Sequence, residues 1–142
     1  MPSRSEQILY ALRARWGPLL AVPLTVVAGL GSRAWLTGLP AKIAGDAFYT
    51  VLLYVLVLVV RPTARRSRAF AVALGLSFAV EFAQLTPYPA WLSSKHLILR
   101  LIFGTTFGLV DLAGYVVGAL GVVAAHTLLR AVRGSPASRA PA

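Results

Sequence analysis

Ile43-Ala44-Gly45-Asp46-Ala47-Phe48-Tyr49-Thr50-Val51-Leu52-Leu53-Tyr54-Val55-Leu56-Val57-Leu58-Val59-Val60 is the stretch that decides the fold. Its second half is aliphatic on every side except for Tyr54. A helix with no polar face is buried in a large core or in a membrane. As a helix the stretch covers roughly 27 Å, close to the hydrocarbon thickness of a bilayer. A chain of 142 residues has too little interior to hide such a helix from water. The bilayer is therefore its solvent.

Working outward, three further segments read the same way. Residues 16–35 are bracketed by Trp16 and Trp35, which suit the two membrane–water interfaces. Pro18 and Pro23 lie inside this segment, as membrane helices tolerate. Residues 69–86 and 107–129 complete the set, the last rich in Gly and Ala. Gly114, Gly118 and Gly121 recur at helical spacing and mark a face for close packing. Between the third and fourth spans, Leu97 to Phe103 is apolar but too short to cross. It reads as an interfacial or re-entrant helix. Before it, Pro87, Tyr88, Pro89 and Trp91 open the connection from the third span.

The expected fold class is thus all-α: an integral membrane bundle of about four transmembrane helices plus that short helix. Residues 1–15 are read as a cytoplasmic segment, in which Ser3 and Glu6 have capping-box spacing. Residues 16–130 form a single transmembrane domain, and 131–142, rich in Ser, Pro and Ala, a disordered tail. Basic residues ahead of an apolar run also fit a cleaved signal peptide. The length of the run and the lack of a small-residue cleavage site favour a retained span.

Composition agrees. The chain is 58% hydrophobic and 13% charged, with a mean hydropathy of +0.75. The net charge is +10, which in a soluble protein would raise nucleic-acid binding. Here the cations sit between apolar segments, where they set topology and meet lipid headgroups, so no nucleic-acid partner is expected. Counted along the chain, the 14 Lys and Arg fall as three, two, four, two and three in successive connecting segments. That alternation places both termini and the 61–68 loop in the cytoplasm. With no cysteine, disulfides, thiolate metal sites and cysteine nucleophiles are excluded.

The chemistry must come from few residues. Of four acids, Asp46, Glu81 and Asp111 fall inside spans. Mid-membrane acids usually face a bundle interior or a wet cavity and are functional candidates. The topology puts all three in the outer third, on the same side as Arg33, Lys42, Lys95, His96 and Arg100. Ser77, Glu81, Gln84 and Tyr88 share one face of the third span. Asp46, Thr50 and Tyr54 do so on the second, with Tyr49 adjacent, and Asp111 and Tyr115 on the fourth.

A polar pocket open to the outer side is expected from Arg33, Asp46, Tyr49, Glu81, Gln84, Trp91, His96, Arg100, Asp111 and Tyr115. The competing reading is structural: ion pairs that set helix register, first Arg33 with Asp46 and Arg100 with Glu81 or Asp111. His126, at the inner end of the last span, reads as a packing or interfacial residue. No metal site, cofactor or catalytic residue is expected, because no nucleophile–base pair, phosphate loop or zinc motif is present.

Several motifs resemble a known family. They are Gly29-Leu30-Gly31-Ser32-Arg33, Lys42, Gly45-Asp46-Ala47-Phe48-Tyr49, Ser77 to Leu85, Trp91-Leu92, and Phe107 to Leu112 with Tyr115 and Gly118. In order and spacing they resemble the bacterial "domain of unknown function 2809" membrane proteins, over about residues 29–121. Through Glu81 to Gln84 and Asp111 the chain is more distantly similar to VanZ-like proteins, which are associated with teicoplanin resistance and cell-envelope effects. It departs from them at Tyr115, where an Asn is the VanZ-like residue. The resemblance implies a bacterial inner-membrane protein in which Arg33, Asp46, Glu81, Gln84, Trp91 and Asp111 belong to shared motifs.

Three functions stay open. One is binding of an envelope lipid, cell-wall intermediate or small ligand. The second is a transporter or channel subunit, a homo-oligomer built through the glycine face of the fourth span. The third is a structural subunit of a membrane complex. An enzyme ranks last.

Overall fold

A computed structural model describes residues 4–134, with the side chains of residue 5 and of residues 16–128. Among these residues the chain is all-helical. The helices are α1 (Arg4–Trp35), α2 (Gly38–Val60), α3 (Arg66–Ala83), α4 (Pro87–Ser93), α5 (Leu97–Phe103) and α6 (Leu109–Gly134). Three are long and apolar enough to cross a membrane, over Trp16–Trp35, Gly38–Val60 and Leu109–Leu128. α3 and α4 make a fourth if they count as one span, bent by 96° at its break.

α1 runs unbroken through Pro18 and Pro23, so the segment expected ahead of the first span is part of the same helix. The Ser3–Glu6 cap lies outside the described side chains. The tail expected from residue 131 starts inside α6, and residues 135–142 lie outside the described residues. α1 turns into α2 across Leu36 and Thr37. Gly38, at a φ of 63°, supplies the left-handed backbone that this tight return needs.

The connection after the third span begins with helix α4. Pro87 and Pro89 sit in its first turn, where a missing N–H costs no helical hydrogen bond. Thr86 before them is extended, as a residue preceding proline prefers.

α2 is the central helix and packs against α1, α3 and α6; α3 also meets α6, and α4 meets α5. α3 turns one narrow stripe inward: Ala69, Ala73, Ser77 and Glu81, each four residues from the last. Small side chains there bring α3 close to α2, and the Ser77 and Thr50 hydroxyls stand 3.0 Å apart. Each hydroxyl also reaches a carbonyl one turn back on its own helix, Ser77 that of Ala73 at 3.0 Å and Thr50 that of Asp46 at 3.4 Å.

α6 runs in the same direction as α2, in close register. A Cβ on Gly114 would lie 2.6 Å from Asp46 Cβ, and one on Gly118 2.7 Å from Ala47 Cα. Glycine at both positions is what lets the two backbones touch. These two glycines of the face expected to join subunits are therefore covered by α2 within the chain, whereas Gly121 faces open space.

Candidate functional site

The register of α2 and α6 builds one end of the molecule. With Gly114 beside Asp46, the preceding turn of α6 brings Asp111 to Lys42, and their side chains form an ion pair. Arg33, in the last turn of α1, reaches across the α1–α2 turn to Asp46 at 3.7 Å. Its guanidinium lies over Gly45, where a Cβ would be 2.8 Å from its Nη2.

Of the pairs anticipated above, Arg33–Asp46 is present. Arg100 with Glu81 or Asp111 is not. Lys42 takes Asp111 because it stands one turn before Asp46 on the helix that α6 touches.

Glu81 is fully buried and is held differently. Its Oε1 accepts the Gly108 backbone N–H at 2.6 Å. Its Oε2 accepts the Tyr115 hydroxyl at 2.8 Å. Among the described residues no Lys or Arg lies within ion-pair distance of it. Nor do any three His, Asp or Glu side chains come together as a metal site among those residues.

Between α1, α2, α5 and the start of α6 lies a cavity of about 560 Å³. Arg33, Lys42, Asp46, Tyr49, Gln84, Arg100, Asp111 and Tyr115 line its polar side, with Thr105 and Thr106. Val26, Leu30, Leu52, Phe48, Ile98 and Leu101 line the rest. From Ala41 to Leu52 the α2 wall is about 16 Å long. Along α2 this wall runs from Lys42 and Asp46 near the α1–α2 turn to Leu52 towards the helix centre, while Ile98 and Leu101 flank Arg100 on α5.

Two buried acceptors of residues that line it, Asp46 Oδ2 and Gln84 Oε1, have neither a hydrogen-bond partner nor surface open to it; Asp46 Oδ2 faces α6, 3.3 Å from where a Cβ on Gly114 would lie. Asp111 Oδ1 faces the Lys42 ammonium as an ion pair only, with no aligned hydrogen bond.

The structure thus brings Arg33, Asp46, Tyr49, Gln84, Arg100, Asp111 and Tyr115 to one space and leaves three of the sequence candidates off its wall. Glu81 sits behind Tyr115. Trp91 is exposed, with the Lys95 ammonium 5.2 Å from its ring centroid. His96 is the exposed, extended residue before α5. Lys42 and the two threonines are the additions. Lys42 is legible as a cation one turn from Asp46, but its partner across the bundle is not.

α5 forms one wall of the cavity although none of its residues is buried. It is held by its C-terminal carbonyls, which a helix end leaves without partners. Tyr49 donates to Ile102 O at 3.0 Å, Gln84 Nε2 to Phe103 O at 2.8 Å, and Ser93 to Gly104 O.

The chain leaves α5 through Gly104, at φ 63° and ψ −165°, a region essentially restricted to glycine. A Cβ there would also lie 2.6 Å from Gln84 Nε2. Gly104→Ala is expected to cost about 1–3 kcal/mol locally and to release α5. Trypsin cleavage after Lys95 and Arg100 in detergent micelles should then accelerate at least several-fold over wild type.

At the opposite end of the bundle, His126 is more than a packing residue. Its Nδ1 lies 2.9 Å from Arg66 Nη1 and its Nε2 2.6 Å from the Tyr54 hydroxyl. Arginine only donates, so Nδ1 is the acceptor and the ring proton is on Nε2. The ring ties α6 to α2 and to the start of α3.

Fold and site together define a small polytopic membrane protein with a cavity of about 560 Å³ among α1, α2, α5 and the start of α6. The family described as "Protein of unknown function (DUF2809)" matches residues 35–119, and the chain belongs to it. Neither the curated proteins nor the solved structures contain a match.

Proposed function

We propose that this protein binds an amphiphile of the cell envelope, a lipid or cell-wall intermediate. The polar part lies at the α1–α2 turn and the apolar part along α1 and α2. The observation that carries this reading is the cavity, whose wall combines charged residues of the α1–α2 turn, α5 and the start of α6 with aliphatic residues of α1, α2 and α5. Its volume falls in the usual range of small-molecule sites, about 300–1,000 Å³.

The charge alternation supports an inner-membrane setting with both termini in the cytoplasm and the cavity open to the outer side. The VanZ-like elements Glu81 to Gln84 and Asp111 support a bacterial envelope role. A structural subunit is the second reading, favoured by the Arg33–Asp46 and Lys42–Asp111 pairs. An oligomeric transporter or channel has less support, since Gly114 and Gly118 are covered by α2.

Leu52→Trp separates the first two readings. It fills the apolar end of the cavity and leaves both ion pairs alone. Wild type purified from membranes in mild detergent should carry a bound amphiphile in native mass spectrometry, and the variant should lose it while eluting as a folded protein. If wild type carries none, and Asp46→Asn only lowers the melting temperature, the structural reading replaces this one.

A further inference from the structure

We infer that the head group taken by this cavity is net anionic, a phosphate or a carboxylate. The inference rests on the amphiphile reading above. It follows from which charges of the wall have surface open to a ligand.

Among the described residues, three cations and two acids line the cavity: Arg33, Lys42 and Arg100, with Asp46 and Asp111. By count the wall is nearly balanced, but the two signs stand at different depths in it. Asp46 and Asp111 are each only 7% exposed. Asp46 Oδ2 is turned to α6 at Gly114, and Asp111 Oδ1 is buried against the Lys42 ammonium.

The cations stand in front of them. The Arg33 side chain is 55% exposed and that of Lys42 46%, and Arg100 is exposed as well. A ligand entering the cavity therefore meets positive charge first. A cleft whose open surface carries one sign concentrates ligands of the other.

Two of these cations have donors to spare. Lys42 is taken by Asp111. Arg33 meets Asp46 through a single 3.7 Å approach. Arg100 has no carboxylate within ion-pair distance among the described residues. Each guanidinium presents N–H groups in a planar fork that matches the oxygens of a phosphate or carboxylate. Thr105 and Thr106, exposed on the same wall, add hydroxyl donors. An anionic head answers all of these groups. A cationic head would be repelled by them, and an uncharged head would forgo the charge-assisted bonds.

The test adds defined lipids to the full-length protein in detergent and reads retention by native mass spectrometry. Phosphatidylglycerol is net anionic. Phosphatidylcholine carries the same phosphate beside a quaternary ammonium and is net neutral, and diacylglycerol has no charge at all. Phosphatidylglycerol should be retained about tenfold more than either, as one charge-assisted hydrogen bond implies. Arg100→Gln should remove most of that preference. Arg61→Gln, an exposed position just past the far end of α2, should keep it.

Equal loss in the two variants would reduce the preference to general attraction between anionic lipid and a basic surface and overturn this inference. Equal retention of the three lipids would overturn it too and leave the amphiphile reading intact. Retention of none of them would overturn both. Displacement of phosphatidylglycerol by equimolar glycerol phosphate would keep the anion site, assign it to a soluble ester, and refute the amphiphile reading.

Discussion

Glu81→Ala will fail to accumulate as a folded protein, whereas Glu81→Gln will accumulate close to the wild-type level. Glu81 has no exposed surface, and both its oxygens accept hydrogen bonds, from the Gly108 N–H and the Tyr115 hydroxyl. Alanine leaves both donors buried without an acceptor and empties the space between α3 and α6. Each stranded donor costs about 1–3 kcal/mol. The sum is a large part of the 5–15 kcal/mol that typically separates folded from unfolded domains.

Glutamine keeps the volume. Its Oε1 can take the Gly108 N–H, and its amide can donate to Tyr115, whose hydroxyl accepts as readily as it donates. The cost should be about 1 kcal/mol. Tyr115→Phe removes a single donor and should fall between the two. Membrane expression with fluorescence-detected size-exclusion and thermal melts reads all three. Equal loss of folded protein for the alanine and glutamine variants would show that Glu81 needs its charge and not its shape and acceptors.

Gly118→Ala is the second large effect. A Cβ at this position would meet Ala47 backbone atoms, with Cα at 2.7 Å. No side-chain rotation relieves that clash, so α6 must retreat from α2. Overpacking of this kind costs about 1–3 kcal/mol and occasionally more. The retreat also pulls Asp111 from Lys42 one end of the helix away. The melting temperature should fall by roughly 10 °C. Gly121→Ala, on the same helix but facing open space, should melt with the wild type. Equal behaviour of the two variants would refute the close α2–α6 contact.

Legibility in the sequence divides along physical lines. Hydropathy and helical rise act along the chain, so the apolar runs 16–35 and 43–60 and the short helix at Leu97–Phe103 were readable from it. Level along the bundle was readable as well: counting along each span put Asp46, Glu81 and Asp111 together, and the contacts of Lys42 with Asp111 and of Glu81 with Tyr115 bring them to one end. The α4 helix was not read from the chain; its two prolines lie in the first turn, which has no hydrogen bond for proline to remove.

Lateral partnership is the other limit. Arg33 lies across a two-residue turn from the helix that carries Asp46, and that pair could be anticipated from proximity in the chain. Lys42 with Asp111, and Glu81 with Tyr115 and the Gly108 N–H, depend on how far α6 is rotated and how near it comes to α2 and α3. Two missing side chains, at Gly114 and Gly118, set that approach, and no one-dimensional pattern reports which neighbour they admit.

Read along the chain, the residues thus point to a helical membrane protein with three acids at one level of the bundle. Only the tertiary structure decided that two of them are paired beside a cavity while the third is buried behind it. Level along the bundle follows from rise per residue, whereas pairing follows from contact between helices.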